Sequence, residues 1–163
     1  MSHVSIQPPV KKLRQGAFKS KRTIHQVDFY DGLLGIGRES FQSCHSLEQL
    51  QIPRTVKIIG MNAFYQCSRL REVELHSDGK LETIVDGAFA ECTYLRRIVI
   101  PSSVKHVGDM AFLDCKALSE VVLPVDGEKL KLIGESAFAG TVLEQVDIPS
   151  SLSMLCNARI AHF

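Results

Sequence analysis

Four cysteines recur at nearly constant spacing, and they are the residues of this chain best suited to chemistry. Cysteine thiolates act as nucleophiles, bind zinc and form disulfides. The four are Cys44, Cys67, Cys92 and Cys115, separated by 23, 25 and 23 residues. His45 directly follows the first of them and could supply the base of a Cys–His nucleophile. Each of these chemistries needs a different arrangement of the thiols, so the elements that carry the cysteines decide between them.

The cysteines belong to a repeat that runs along almost the whole chain. Each lies three residues after a phenylalanine, and Lys21 and Thr141 take the cysteine's place in the end copies. The six phenylalanines are Phe18, Phe41, Phe64, Phe89, Phe112 and Phe138, with steps of 23, 23, 25, 23 and 26 residues. A repeat of this length predicts a solenoid, in which each turn, or rung, buries its apolar side chains against the neighbouring rungs.

Each copy predicts one short strand and one tight corner. Apolar residues alternate with polar ones after the phenylalanine, as at Ile98 and Ile100, which is the period of a strand. Proline closes four of these strands, at Pro53, Pro101, Pro124 and Pro149. Glycine stands four residues before four of the phenylalanines, at Gly37, Gly60, Gly108 and Gly134, where we expect no room for a Cβ. The longer steps come from insertions at Ser77–Gly79 and Asp126–Glu128, both in the loop that follows a strand.

This arrangement predicts buried free thiols. Stacked rungs place equivalent residues about 4.8 Å apart with parallel Cβ vectors, whereas a disulfide needs converging Cβ atoms about 3.8 Å apart. A linear stack cannot surround zinc either, and the sequence contains no C-x-x-C pair. Free thiols favour a reducing compartment such as the cytoplasm. Cys156, outside the repeat position, is the cysteine that we expect to react.

No catalytic constellation is found in the sequence. His45 and Cys44 are neighbours whose side chains should diverge, and the cysteine is predicted to be buried. The stretch Gly35–Gly37 resembles a phosphate loop, but the repeat already explains its second glycine and no strand–helix unit follows. We therefore predict no enzyme activity, no catalytic residue, no bound cofactor and no metal ion.

The repeat resembles a known family. Its pattern, Ile-Gly-x-x-Ala-Phe-x-x-Cys-x-x-Leu-x-x-Ile-x-Ile-Pro, is read for example from Val107 to Pro124 and is similar to the BspA-like leucine-rich repeats. The resemblance covers roughly residues 10 to 160. It implies a mainly β, right-handed solenoid with a parallel sheet on one face and short helical or extended segments on the other. It also implies a binding module, and many members lie on cell surfaces.

Domain organisation and partner class follow from length and composition. We expect an N-terminal extension over residues 1–9, and a single leucine-rich-repeat domain over 10–163 with about six rungs and a partial C-terminal rung begun by Leu152, Leu155 and Ile160. A net charge of +1 predicts no nucleic-acid partner. The sequence contains no run of about 18 apolar residues, and we therefore expect no membrane span. We expect a monomer.

The outward face of the strands is the predicted binding surface, because its side chains are not committed to the core. Val99 and Val122 are apolar there and lie beside Arg96 and Arg97, a makeup typical of interface centres; strand propensity alone is the alternative explanation for the valines. The predicted partner-binding residues are Arg71, Glu74, Arg96, Arg97, Val99, Glu120 and Val122. The sequence thus predicts a protein-binding scaffold. The alternative is a fragment of a surface-exposed adhesion or glycan-binding protein, which the missing N-x-S/T sequons and the thiols disfavour.

Overall fold

The repeats wind into a parallel β-solenoid, described by a computed structural model over residues 2–124, 129–150, 152, 154 and 155. These residues form twelve short strands and no helix. The longer strands, on one face, are β1 (Ser2–Ser5), β2 (Ile24–Asp28), β4 (Gln49–Ile52), β6 (Glu72–Leu75), β8 (Arg97–Val99) and β10 (Glu120–Val122). The shorter strands, on the second face, are β3 (Gly35–Ile36), β5 (Ile58–Ile59), β7 (Thr83–Ile84), β9 (His106–Val107), β11 (Leu132–Ile133) and β12 (Met154–Leu155). We call the two faces sheet 1 and sheet 2.

Equivalent residues of successive rungs pair in register. In sheet 1, Gln49 aligns with Glu72 and Leu50 with Val73. Along β4 exposed and buried residues alternate, so that Leu50 and Ile52 point into the core. Sheet 2 is continuous from β3 to β12, and all of its strands are parallel. The predicted solenoid is confirmed, and most residues of its predicted inward columns are buried.

The phenylalanines form a stacked column through the centre of the molecule. From Phe18 to Phe138 neighbouring rings lie 5.0 to 5.4 Å apart, with interplanar angles of 5 to 10°. Phe89, for example, is fully buried between Phe64 and Phe112. The repeat therefore fixes the core by stacking one ring on each rung.

Each phenylalanine lies in a turn rather than in a helix. The residues two before and two after it have positive φ in all six rungs, for example Gly87 (φ 62°) and Glu91 (φ 57°) around Phe89. A left-handed residue interrupts the right-handed backbone that a helix needs. The backbone N–H groups of the turn donate in part within their own rung and in part to the next rung. Cys92 N–H donates to Phe89 O of the same rung at 3.3 Å, and Phe89 N–H donates to Ala111 O of the next rung at 2.8 Å. The family resemblance implied short helical or extended segments opposite the sheet. In the described residues these segments are turns.

The corner glycines bring the backbones of successive rungs close together. A Cβ on Gly60 would lie 2.8 Å from the backbone nitrogen of Arg38 and 2.9 Å from the carbonyl oxygen of Ile36. Real Cβ atoms essentially never approach this closely. The expectation that a Cβ does not fit at these corners is confirmed.

The N-terminal residues continue the solenoid. Ser2–Ser5 forms β1, which pairs in parallel with β2, and Ile6 is buried in the core. This differs from the expected boundary at residue 10. The strand is mostly polar and no phenylalanine precedes it, so it lacked the pattern by which the other rungs were recognised.

The sixth rung departs from the predicted register. Val146 and Ile148 were expected to point inward from a strand, but residues 145–148 form no strand and Ile148 is 40% exposed. The expectation for Ile148 is wrong. This copy lacks one residue between Phe138 and Leu143, but Leu143 is buried. The inward register is therefore lost only after Leu143, in the segment that forms no strand. The predictions for Asp126–Glu128, Cys156 and Ile160 concern residues outside those that the structure describes.

Candidate binding cleft on the strand face

The four repeat cysteines have a structural role. All four are reduced and fully buried. Each thiol donates a hydrogen bond to the carbonyl oxygen of the phenylalanine one rung earlier, as from Cys67 to Phe41 at 3.2 Å and from Cys92 to Phe64 at 3.3 Å. Burial raises the pKa of both thiols well above the ordinary value. These thiols are therefore weak nucleophiles, and they act as small core residues that also bind one rung to the next.

His45 does not complete a Cys–His pair. Its ring Nδ1 lies 3.4 Å from the Ser68 hydroxyl of the next rung, while the thiol of Cys44 donates to Phe18 O at 3.1 Å. Residues 2–124, 129–150 and 152 also contain no group of three His, Cys, Asp or Glu side chains placed to hold a metal ion. These side chains therefore form neither a Cys–His pair nor a three-ligand metal centre in this part of the chain.

Burial, rather than the surrounding redox conditions, protects the thiols. A fully buried thiol with a raised pKa is inert to oxidants as well as to exchange. Free thiols of this kind consequently do not require a reducing compartment. The inference of a cytoplasmic location from the free thiols therefore does not hold.

Among the described residues, no helix has the length and apolar character to cross a membrane.

A cleft of about 700 Å³ opens on sheet 1 where the strand ladder is interrupted. Its lining residues are Arg71, Glu72, Val73, Glu74, Leu75, Tyr94, Arg96, Arg97 and Val99. The strands β1, β2, β4 and β6 form one ladder and β8 and β10 another, and no pairing joins β6 to β8. Val73 is only partly buried, whereas its equivalents Leu50 and Ile98 are fully buried. The interruption thus exposes part of a core column.

The interruption coincides with the insertion Ser77–Gly79 in the loop that leads from β6 to β7. A ladder hydrogen bond needs an N···O distance of about 2.9 Å, so a small shift of one strand breaks it. Sheet 2 stays continuous at the same level, where Thr83 pairs with His106, and the rings of Phe64 and Phe89 remain stacked. The gap is therefore confined to the face that carries the cleft.

Charges in the cleft are only partly neutralised. The Arg97 guanidinium lies 2.9 Å from a carboxylate oxygen of Glu120, and Glu74 accepts a hydrogen bond from Gln51 at 3.0 Å. Arg71 and Arg96 occupy the same position on successive rungs, and neither makes an ion pair within the described part of the chain. Both side chains are exposed. Two like charges thus stand side by side at one end of the cleft.

The structure brings together five of the seven residues predicted for partner binding. Arg71, Glu74, Arg96, Arg97 and Val99 line the cleft. The other two lie on β10, where Glu120 pairs with Arg97 and Val122 is 36% exposed.

Sequence reasoning missed the cleft itself. It also missed Glu72, Val73 and Leu75, and the 53% exposed Tyr94. The sequence signal that could have located the cleft is the 25-residue step from Phe64 to Phe89, because this step marks the rung whose loop is lengthened.

Comparison with protein families gives one match that covers nearly the whole chain. The model of the BspA type leucine rich repeat region matches residues 1–119 and 35–159, with six copies. No protein of curated function matches the chain.

Solved structures share the fold. A leucine-rich-repeat protein from T. pallidum is 28% identical, with a TM-score of 0.78 over 85% of this chain and 64% of the other. A leucine-rich cell surface protein from Faecalibacterium prausnitzii is 29% identical, with a TM-score of 0.79 over 92% of this chain and 42% of the other. The pneumococcal vaccine antigen PcpA, at 22% identity and a TM-score of 0.68 over 93% of this chain and 51% of the other, shows the fold alone. The chain thus spans about half the length of these proteins.

Proposed function

The chain belongs to the BspA-type leucine-rich-repeat family, and on that premise we propose that it is a non-enzymatic binding module that recognises a protein partner through the exposed face of sheet 1. The observation that carries the proposal is the cleft at the ladder interruption. It combines an apolar residue, Val99, an exposed aromatic ring, Tyr94, and two arginines that have no ion-pair partner among the described residues. Aromatic and arginine side chains are enriched at the centres of protein interfaces.

The rest of the molecule supports this choice of surface. The turn segments use their N–H groups to bind neighbouring rungs, as where Glu91 N–H donates to Leu113 O at 2.7 Å. The four repeat thiols are buried, and so they present nothing to a partner. On sheet 1 the outward side chains of the longer strands form columns across successive rungs, and a solenoid offers such columns to a macromolecule as one extended surface.

We propose further that this partner is met at the cell surface rather than in the cytoplasm. The Faecalibacterium prausnitzii relative is described as a cell surface protein. Thiols such as Cys92 are shielded by burial, and so they suit an oxidising exterior as well as a reducing interior. The chain would then be an adhesion-type module that binds a protein outside the cell.

The test of the binding face compares two substitutions of an exposed apolar residue by glutamate. The immobilised chain captures proteins from an extract of extracellular proteins, and the affinity of the dominant captured protein is then measured. We expect Val99→Glu to weaken binding about 30-fold, because a buried unpaired carboxylate is costly at an interface, with the melting temperature nearly unchanged. The matched control is Met110→Glu, on the turn side and 48% exposed, which should bind as the parent chain does. The reverse outcome would place the partner on the turns and reject this face.

A glycan is the second candidate partner, favoured by one observation. Tyr94 exposes an aromatic ring at the cleft, and such a ring has an apolar face together with a polar tip. If the partner is a sugar, Tyr94→Ala should remove binding to a glycan array while Val99→Glu leaves most of it. A blank array with the parent chain would exclude this reading.

A further inference from the structure

One boundary between rungs lacks, in sheet 1, the backbone hydrogen bonds that its equivalents have. The residue seven places after a phenylalanine normally donates its N–H group to the preceding rung, as from Arg71 to Glu48 O at 2.9 Å and from Ser119 to Arg96 O at 3.0 Å. Arg96 N–H occupies the same position but makes no backbone hydrogen bond within residues 2–124, all of which the structure describes. The link that should join the β6 rung to the β8 rung at this point is therefore missing.

Side chains do not replace the missing backbone bonds. Across β4 and β6, Gln51 donates a hydrogen bond to Glu74 at 3.0 Å, and across β8 and β10 the Arg97 guanidinium lies 2.9 Å from Glu120. In the described part of the chain no side-chain hydrogen bond or ion pair joins β6 to β8. Both kinds of link are thus missing at the same boundary of sheet 1.

The same boundary is continuous on the other sides of the solenoid. In the turns, Phe64 N–H donates to Ala88 O at 2.8 Å, and in sheet 2, Val85 N–H donates to Ile59 O at 2.9 Å. Along sheet 1, β6 and β8 still lie side by side, but only packing holds them there. A joint that is bonded on the remote sides and unbonded on one side can open on that side.

We propose that the boundary between β6 and β8 is a hinge, at which sheet 1 opens and closes while the turns and sheet 2 act as its axis. The hinge divides the solenoid into two blocks, the rungs up to β6 and the rungs from β8 onward. In the structure it is closed, with the strands adjacent. Two features favour opening: the like charges of Arg71 and Arg96 at equivalent positions of neighbouring strands, and the two extra residues in the Ser77–Gly79 loop.

The hinge affects any molecule that contacts both blocks of sheet 1. A ligand shifts an equilibrium between two conformations by the difference in its affinity for them. A partner that spans the boundary therefore fixes the spacing between the two blocks. The hinge itself is a property of the free chain and does not depend on what the partner is.

Hydrogen exchange at single amides tests whether the boundary is unbonded in solution. We expect the Arg96 amide of the free chain to exchange at least about tenfold faster than the Arg71 and Ser119 amides, after correction for intrinsic rates, because it lacks their bond to the preceding rung. Deletion of Asp78 and Gly79 gives the loop the length of the equivalent loop one rung earlier. In this variant the Arg96 amide should exchange as slowly as the Arg71 amide.

A distance measurement tests the motion itself. Spin labels on Gln26→Cys and Glu120→Cys span four rungs across sheet 1, roughly 19 Å, and labels on Arg22→Cys and Lys116→Cys span the same rungs on the turn side. All four side chains are exposed, and Cys156→Ser removes the cysteine outside the repeat position. We expect the distance distribution of the sheet 1 pair to be at least about twice as broad as that of the turn pair. Deletion of the two loop residues should narrow it to the width of the turn pair.

Two results would overturn the proposal. Equal exchange at Arg96 and Arg71 in the parent chain would mean that the two strands are bonded, and equally narrow distributions for both label pairs would mean that the boundary is rigid. If the deletion variant fails to fold, the comparisons within the parent chain still decide. The proposed function fails separately, because capture of a partner and its loss in Val99→Glu are measured without reference to the motion.

Discussion

Replacing Phe89 with alanine is expected to lower the free energy of unfolding by about 3–5 kcal/mol. The ring is fully buried and stacks on Phe64 at 5.3 Å and on Phe112 at 5.4 Å. Its removal leaves a cavity in the middle of the column, and the rigid rungs on either side cannot collapse to fill it. The effect is measured by urea denaturation of the two chains.

The control for this prediction is an exposed aromatic residue of the same rung. Tyr94→Ala removes a ring that is 53% exposed and should change stability by no more than about 0.5 kcal/mol. The exposed substitution Glu74→Ala should behave in the same way. Equal losses for Phe89→Ala and Tyr94→Ala would mean that the phenylalanine column does not carry the core.

The buried thiols are expected to react with a thiol reagent on the order of a thousandfold more slowly in the folded chain than in the unfolded one. Cys67 and Cys92 are fully buried, and their pKa values are raised well above the ordinary one by burial. Reaction requires an opening of the solenoid, and an opening free energy on the order of 4 kcal/mol accounts for this factor. The measurement is labelling of each cysteine, followed by mass spectrometry, with and without denaturant.

Rapid labelling of Cys67 and Cys92 in the native chain would contradict their placement in the core. Cys156, predicted from the sequence to react readily, lies outside the described residues and serves as a separate arm of the experiment.

The buried thiols of the repeat should also lower the stability of the fold at alkaline pH. Burial raises the pKa of Cys44 from 9.0 to about 11 and that of Cys115 to about 12. The unfolded chain therefore loses these protons first, and stability falls as the pH rises above about 9 toward these values. Below pH 9 this contribution is fully present. Unfolding free energies measured from pH 8 upward for the parent chain and for Cys115→Ala should show a shallower decline in the variant; parallel declines would assign the loss to other groups.

The repeat pattern was sufficient for the central rungs. The spacing of Phe41 to Phe112 predicted which side chains stack, and the alternation along β4 predicted which face inward. Such predictions succeed because each rung contacts only its neighbours, so a pattern of residue types repeated at one period fixes the same contacts every time. Gly60 belongs to this class, since the corner it occupies recurs with the repeat.

The ends of the chain were less predictable. Ser2–Ser5 pairs with β2 by backbone hydrogen bonds, which any residue except proline can make, and so its polar sequence gave little signal. Ile148 has the residue type of the inward column but is exposed, because residues 145–148 form no strand that would turn it inward. In both places the backbone path, not the side-chain pattern, decides the outcome.

The sequence by itself determined that this chain is a solenoid of phenylalanine-centred rungs with buried thiols, and which residues of its strands face outward. Only the tertiary structure decided that sheet 1 is interrupted between β6 and β8, that Arg71 and Arg96 both line the cleft there without an acidic partner among the described residues, and that Tyr94 borders the same cleft. The physical reason is that inward and outward positions follow from the alternation of side chains along each strand. Whether two neighbouring strands pair depends instead on N···O distances, which a two-residue lengthening of the loop that follows one of them can alter.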